Sequence, residues 1–213
     1  VYGDIRLTNV SLIFNETKGL NNFSAVFKKG KKYLVVGESG SGKSTLLNII
    51  SGMYDEYDGE VMIEDEELKQ VERNALSHLV SLASQEVFLF NDTIRNNITL
   101  YREYSDEQIH NVLKQCGLEN LIQELPDGLD TLVGENGSNF SGGEKQRINL
   151  ARAFIRDSKI LLLDEVSANL DSVTTDFIER TVLALEGKTV ISVAHKMPEK
   201  LAELYDEVIR VGV

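Results

Sequence analysis

Residues 37–45 read Gly-Glu-Ser-Gly-Ser-Gly-Lys-Ser-Thr. Gly37, Gly42, Lys43 and Ser44 stand at the fixed positions of G-x-x-x-x-G-K-S, a loop that wraps the phosphates of a nucleotide. The glycines Gly37, Gly40 and Gly42 let backbone N–H groups turn inward, toward phosphate oxygens that a Cβ would crowd. Lys43 supplies a point charge for the β and γ phosphates, and the Ser44 hydroxyl is placed to bind Mg²⁺. The candidate phosphate-binding run is therefore Gly37, Glu38, Ser39, Gly40, Ser41, Gly42, Lys43, Ser44 and Thr45.

Two further segments carry chemistry. Ile160-Leu161-Leu162-Leu163-Asp164-Glu165 is an apolar run ending in two carboxylates. Such a run ends at the carboxyl edge of an open α/β sheet, where ligands bind. Asp164 suits Mg²⁺ coordination through water, and Glu165 could polarise an attacking water; a solvated acidic turn is the other reading. Phe140-Ser141-Gly142-Gly143-Glu144-Lys145-Gln146-Arg147 opens a helix whose free N–H groups and dipole make an anion site. Ser141-x-x-Glu144 is also a capping box. Two glycines at a helix start are costly unless something must approach the backbone there.

These groups need elements to position them. Tyr33–Val36 reads as a buried strand before the phosphate loop, and Ser44 to Ser51 as a helix stopped by Gly52. Residues 4–36 alternate in β fashion, and 59–63 and 79–84 are short strands. From about 91 to 157 the pattern turns helical, with a capping box at Ser105-x-x-Gln108, a stop at Gly117, a loop over 126–140 and a helix over 144–156. Ile160–Leu163 fits a central parallel strand. A helix over about 172–185 and strands at Thr189–Ala194 and Val208–Val211 follow. Strands alternating with helices around a phosphate loop imply an α/β fold with a mostly parallel sheet and a helical block inserted between its strands.

The 213 residues suffice for one sizeable α/β domain. Only one cysteine, Cys116, is present, so no internal disulfide forms. A net charge of −12 argues against a nucleic-acid partner. The dense basic run Lys28-Lys29-Gly30-Lys31-Lys32 reads as a solvated turn between strands. No apolar run approaches the ~18 residues of a membrane span. Both ends of the chain fall in strand-like sequence, as expected of a domain from a longer polypeptide.

On these residues the chain resembles the nucleotide-binding domain of an ATP-binding cassette (ABC) transporter. The likeness covers nearly all of it: the phosphate loop, the signature-like 140–147, and the Asp-Glu strand at 160–165. Gln85 resembles the family's Q-loop glutamine, Ala168-Asn169-Leu170-Asp171 its D-loop, and His195 its switch histidine, although a lone His after a strand otherwise reads as a surface residue. Phe14 stands where the family places an adenine-stacking aromatic; a core Phe is the alternative. QEVFLFNDTIRNNI (85–98) and DTLVGENG (130–137) are similar to exporter segments. An importer, a non-transport ABC ATPase and a non-hydrolysing half of a heterodimeric transporter are the competing readings.

The resemblance implies a P-loop NTPase (RecA-like) core with an N-terminal antiparallel β subdomain, over 1–90 and 158–213, and an inserted α-helical subdomain over 91–157. It implies ATP and Mg²⁺ as ligands. Glu165, His195 and Gln85 would be catalytic, and Ser44, Gln85 and Asp164 would be at the metal. Phe14 and residues 37–45 would hold the nucleotide, and Ser141, Gly142 and Gly143 would complete the site of a second such domain packed head to tail. A membrane domain upstream would place the pair at the cytoplasmic face of the membrane. Four positions depart from the family pattern: Phe140 for Leu, Glu144 for Gln, and Val166-Ser167 for Pro-Thr. Glu144 is expected to fold back onto the Ser141 N–H.

Overall fold

The computed structural model describes residues 2–15, 18–168 and 170–212. β1 (Ile5–Asn15) and β2 (Lys18–Phe27) form an antiparallel pair whose alternation buries Ile5, Leu7 and Val10. β3 (Lys32–Val36) runs into the loop at 37–42, and α1 (Lys43–Ile50) follows it. Gly52, at φ +76°, ends that helix, and its N–H returns to the Ile49 carbonyl at 2.9 Å. β4 (Asp58–Ile63) returns to β1 with Ile63 opposite Ile5, and β5 (Glu66–Glu67) pairs with β4. The first sheet is thus antiparallel, in the order β2-β1-β4-β5.

α2 (Arg73–Leu79) leads into β6 (Val80–Ala83). Then come α3 (Ile94–Thr99), α4 (Asp106–Gln115), α5 (Glu119–Glu124) and α6 (Gly142–Phe154). β7 (Ile160–Asp164), α7 (Ser172–Leu183), β8 (Thr189–Ala194), α8 (Glu199–Ala202) and β9 (Glu207–Arg210) finish the fold. The second sheet is parallel, in the order β6-β7-β8-β3-β9.

β7 is apolar up to Asp164 because both faces of its sheet are covered. Ile160 and Leu162 join a core with α1 and the first sheet, while Leu161 and Leu163 join one with α3, α4 and α6. The helical block therefore shares its apolar core with the sheet.

The expected α/β fold, with its antiparallel N-terminal sheet and helical insertion, is present. Three details differ. The helix expected over 144–156 starts two residues earlier, at Gly142 behind Ser141, because the capping box sets its first turn. The sequence pattern missed α2 and α8. Lys32, expected in a solvated turn, is 8% exposed and donates its Nζ to the Lys188 carbonyl; burial pushes its ammonium pKa down.

Candidate nucleotide site

The phosphate loop is built from the backbone outward. Gly42 caps α1 at φ +95° with no side-chain hydrogen bond, so the first-turn N–H groups point outward uncapped. A Cβ at Gly42 would lie 2.5 Å from the Gly19 carbonyl oxygen of β2, and one at Gly37 would lie 2.5 Å from the Val211 carbonyl oxygen. These two glycines are thus required by the protein's own backbone packed behind the loop. Gly40 faces open space at φ +82°.

Lys43 is 5% exposed and donates its Nζ to the carbonyls of Gly37 and Glu38, both at 2.8 Å. A cation held by neutral carbonyls, beside uncapped helix N–H groups, is a seat for an anion. The Ser41 hydroxyl is buried in the same loop without a partner. Thr45 is buried in α1, while Glu38, Ser39 and Ser44 are exposed.

Two strand ends meet this loop at the carboxyl edge of the parallel sheet, and a third joins them through Gln85 and Glu165. Asp164 closes β7 and accepts from the Ser44 hydroxyl at 3.1 Å. Burial pushes its carboxyl above the ordinary range, and neighbouring Glu165 adds to the shift; the Ser44 hydroxyl and Lys43 oppose it. A divalent cation would reverse that balance, so Ser44 and Asp164 fit Mg²⁺.

Glu165 adopts φ +48°, a conformation that costs a non-glycine residue about 1–3 kcal/mol. Its N–H is anchored on the Val193 carbonyl at 3.0 Å, and its carboxylate accepts from Gln85 Nε2 at 3.1 Å. Gln85 lies two residues beyond β6. His195 follows β8 and sets Nδ1 3.3 Å from the Gly37 carbonyl. A carbonyl can only accept, so this contact is a hydrogen bond when Nδ1 carries the proton. Gln85, Glu165 and His195 line one cleft of about 500 Å³.

The signature-like segment forms the capping box expected of it. Ser141 Oγ accepts from the Glu144 N–H at 3.3 Å, and the Ser141 N–H donates to Glu144 Oε2 at 2.7 Å. Ser141 and Gly142 are exposed, and a Cβ at Gly142 would meet nothing within 4 Å. The Gly142 position is therefore open to an approaching group. Gly142 shares a cavity of about 230 Å³ with Gln85, Lys145 and Glu165, which residues 37–45 do not line. Phe14 is 52% exposed, so the core reading fails; its ring meets the edge of Tyr54 at 5.3 Å.

A family model described as ABC transporter matches residues 20–168. The chain belongs to the ABC transporter family. It is 36% identical over 200 residues to an ATP-dependent lipid A-core flippase of Francisella tularensis subsp. holarctica, covering 92% of this chain and 33% of that one. It is 40% identical over 200 residues to the mitochondrial iron-sulfur clusters transporter ATM1 of Candida albicans, covering 92% and 27% respectively. The solved structure of a bacterial Atm1-family ABC exporter with ATP bound superposes with a TM-score of 0.89 at 31% identity, covering 99% of this chain and 37% of that one. The chain thus spans about a third of the length of the relatives it matches. Within the ABC family it is an ATP-binding ATPase domain of the exporter type.

The two exporter-like segments lie against each other. Thr93 and Leu132 form an isolated antiparallel bridge, the Ile94 N–H donates to the Thr131 carbonyl at 3.0 Å, and the Val133 N–H donates to the Asp92 carbonyl at 2.9 Å. Phe88, Phe90 and Leu132 are exposed nearby. Underneath, buried Asn97 bonds Phe90 through both its N–H and its carbonyl, and Arg152 reaches Asn97 and the Phe88 carbonyl. Sequence reading missed this support, because an Asn inside a short helix carries no periodic signal. Of the D-loop tetrad, Asn169 lies outside the described residues; Asp171 caps α7, its carboxylate accepting from the N–H groups of Val173 and Thr174.

Proposed function

We propose that this chain binds and hydrolyses Mg²⁺-ATP at the loop of residues 37–45, as one of a head-to-tail pair of ATPase domains that powers an exporter. The observation that supports the reading best is the convergence at one sheet edge: Lys43 and Ser44 from the loop, Asp164 and Glu165 after β7, Gln85 after β6, and His195 after β8. Such a site has little covalent work to do; positioning and charge stabilisation dominate phosphoryl transfer.

Lys43 and the loop N–H groups hold the phosphates, and Phe14 stacks on the adenine. Ser44, Asp164 and Gln85 would hold Mg²⁺, which supplies neutralisation of the β and γ phosphate charge. Glu165 orients the attacking water and takes its proton. His195 would hold the γ phosphate by donating from Nε2, since phosphate oxygens only accept. Ser141, Gly142 and Gly143 complete the site of the second domain, whose own helix start completes this one. The domain divides into 1–90 with 158–213, which carry the phosphate loop, and a helical 91–157, which carries the segment for the second domain's site. A membrane domain, upstream in the same polypeptide, rests on residues 86–90 and 130–136 at the cytoplasmic face.

The test is Mg²⁺-dependent ATP turnover across a range of protein concentrations, beside the Glu165→Gln variant. Specific activity is expected to rise with concentration. Glu165→Gln is expected to keep ATP binding, accumulate as a dimer with ATP, and lose about 10²–10⁴-fold in turnover. Wild-type turnover in that variant would defeat the assignment.

A further inference from the structure

Glu179 makes no hydrogen bond to the phosphate loop, yet it bonds the turn that follows Glu165 and a tyrosine that shares an apolar cluster with Ala194, the residue before His195. It lies in α7 and is 3% exposed. Its Oε1 accepts from the Ser167 hydroxyl at 2.9 Å, and its Oε2 from the Tyr205 hydroxyl at 2.5 Å.

Ser167 sits inside the turn that follows Glu165. The Ala168 N–H closes that turn onto the Glu165 carbonyl at 3.1 Å, and the Leu170 N–H reaches the Ser167 carbonyl at 3.3 Å. This is the turn that keeps Glu165 at φ +48°. A residue in that region persists only where its surroundings over-determine it. Tyr205 approaches from the other side. It is 6% exposed and shares an apolar cluster with Leu34 and Ala194, the residue before His195. One carboxylate thus bonds both the turn after β7 and Tyr205, which packs in the apolar cluster at the end of β8.

Both partners are neutral hydroxyls, and burial raises the Glu179 carboxyl while the two hydroxyls oppose the shift. Both hydroxyls depend on it: losing the carboxylate would leave each without its acceptor. Its value lies in the geometry it fixes.

We propose that Glu179 is a positioning residue for ATP hydrolysis, holding the Glu165 turn through Ser167 and tying it through Tyr205 to the apolar cluster at the strand end that bears His195. The proposal rests on the hydrolytic reading given above.

Two variants and two readouts test it. Glu179→Met removes both hydrogen bonds and keeps the volume. Glu179→Gln keeps both, because an amide can accept from one hydroxyl and donate to the other. Glu179→Met is expected to lower kcat about 10–100-fold while KM and ATP affinity stay within about twofold, and Glu179→Gln to recover kcat to within about threefold of wild type. Hydrogen exchange, read on the nucleotide-free chain, is expected to quicken at least about tenfold at the amides of Ala168 and Leu170 in Glu179→Met, with β7 and β8 unchanged.

Unchanged exchange at residues 165–170 would overturn the proposal, as would a Glu179→Met kcat within about twofold of wild type. Absence of turnover in the wild-type chain would count against the hydrolytic reading alone. The exchange comparison would then decide the role of Glu179 by itself.

Discussion

The Ser44 hydroxyl donates to Asp164 Oδ1 at 3.1 Å, joining the first turn of α1 to the end of β7 across 120 residues of chain. The carboxyl it meets is raised above its ordinary value of 3.8. Between that value and the raised one, the folded chain holds a proton that the unfolded chain has lost. Asp164's contribution to stability therefore falls as pH rises through this window. Asp164→Asn removes the buried charge, so the nucleotide-free variant is expected to be at least as stable as wild type at pH 7 by urea denaturation. Its Mg²⁺-dependent ATP affinity is expected to fall about 10–100-fold, with affinity in EDTA unchanged. Equal loss of both affinities would assign Asp164 to folding instead.

The exposed ring of Phe14, set edge-on to Tyr54, is available to a base. Phe14→Ala is expected to weaken ATP binding by about 1–3 kcal/mol, while binding of inorganic triphosphate is retained. Calorimetric titration with both ligands separates a stacking role from a general loss of the loop.

Asn97 is fully buried and uses its side-chain amide at both ends, accepting from Phe90 and Arg152 and donating to the carbonyls of Phe90 and Thr93. Asn97→Ala leaves those groups unpaired, at about 1–3 kcal/mol for each that water cannot reach. The expected outcome is a clear drop in unfolding free energy with ATP affinity close to wild type, because the phosphate loop lies on other elements. A stability change below about 0.5 kcal/mol, the usual range for surface substitutions, would refute this account.

Gly40 and Gly42 both carry positive φ, but a Cβ at Gly40 meets nothing within 4 Å, whereas one at Gly42 meets backbone at 2.5 Å. Gly40→Ala is expected to cost about 1–2 kcal/mol of backbone strain and leave a folded chain. Gly42→Ala is expected to displace β2 or the loop, abolishing ATP binding. Thermal unfolding and ATP titration of the two variants together give the contrast.

Much of this site was legible in the sequence because its residues follow apolar strands. Four buried residues before Asp164 and six before His195 mark the ends of β7 and β8 without ambiguity. The phosphate loop announced itself by spacing, and the Ser141 cap by its partner three residues on. Contacts across long chain separations were not legible: Gln85 with Glu165, and Glu179 with Ser167 and Tyr205, meet only once the sheet has formed. Glu179 in particular reads as a solvent-facing helix residue until its burial is seen. α2 was missed because it is only seven residues long, with Glu72 before it making no side-chain cap. The function of Gly37 and Gly42 was only partly legible, since the backbone atoms that exclude a Cβ belong to Val211 and Gly19.

β3, which delivers the phosphate loop, is flanked by β8 and β9, and Gly37 packs against the carbonyl of Val211. These neighbours lie more than 150 residues further along the chain. During synthesis on the ribosome the G-x-x-x-x-G-K-S segment emerges well before the strands that brace it. Nucleotide capture therefore waits for β8 and β9 to pair with β3, and ATP serves as a ligand of the assembled sheet and not as an aid to the growing one.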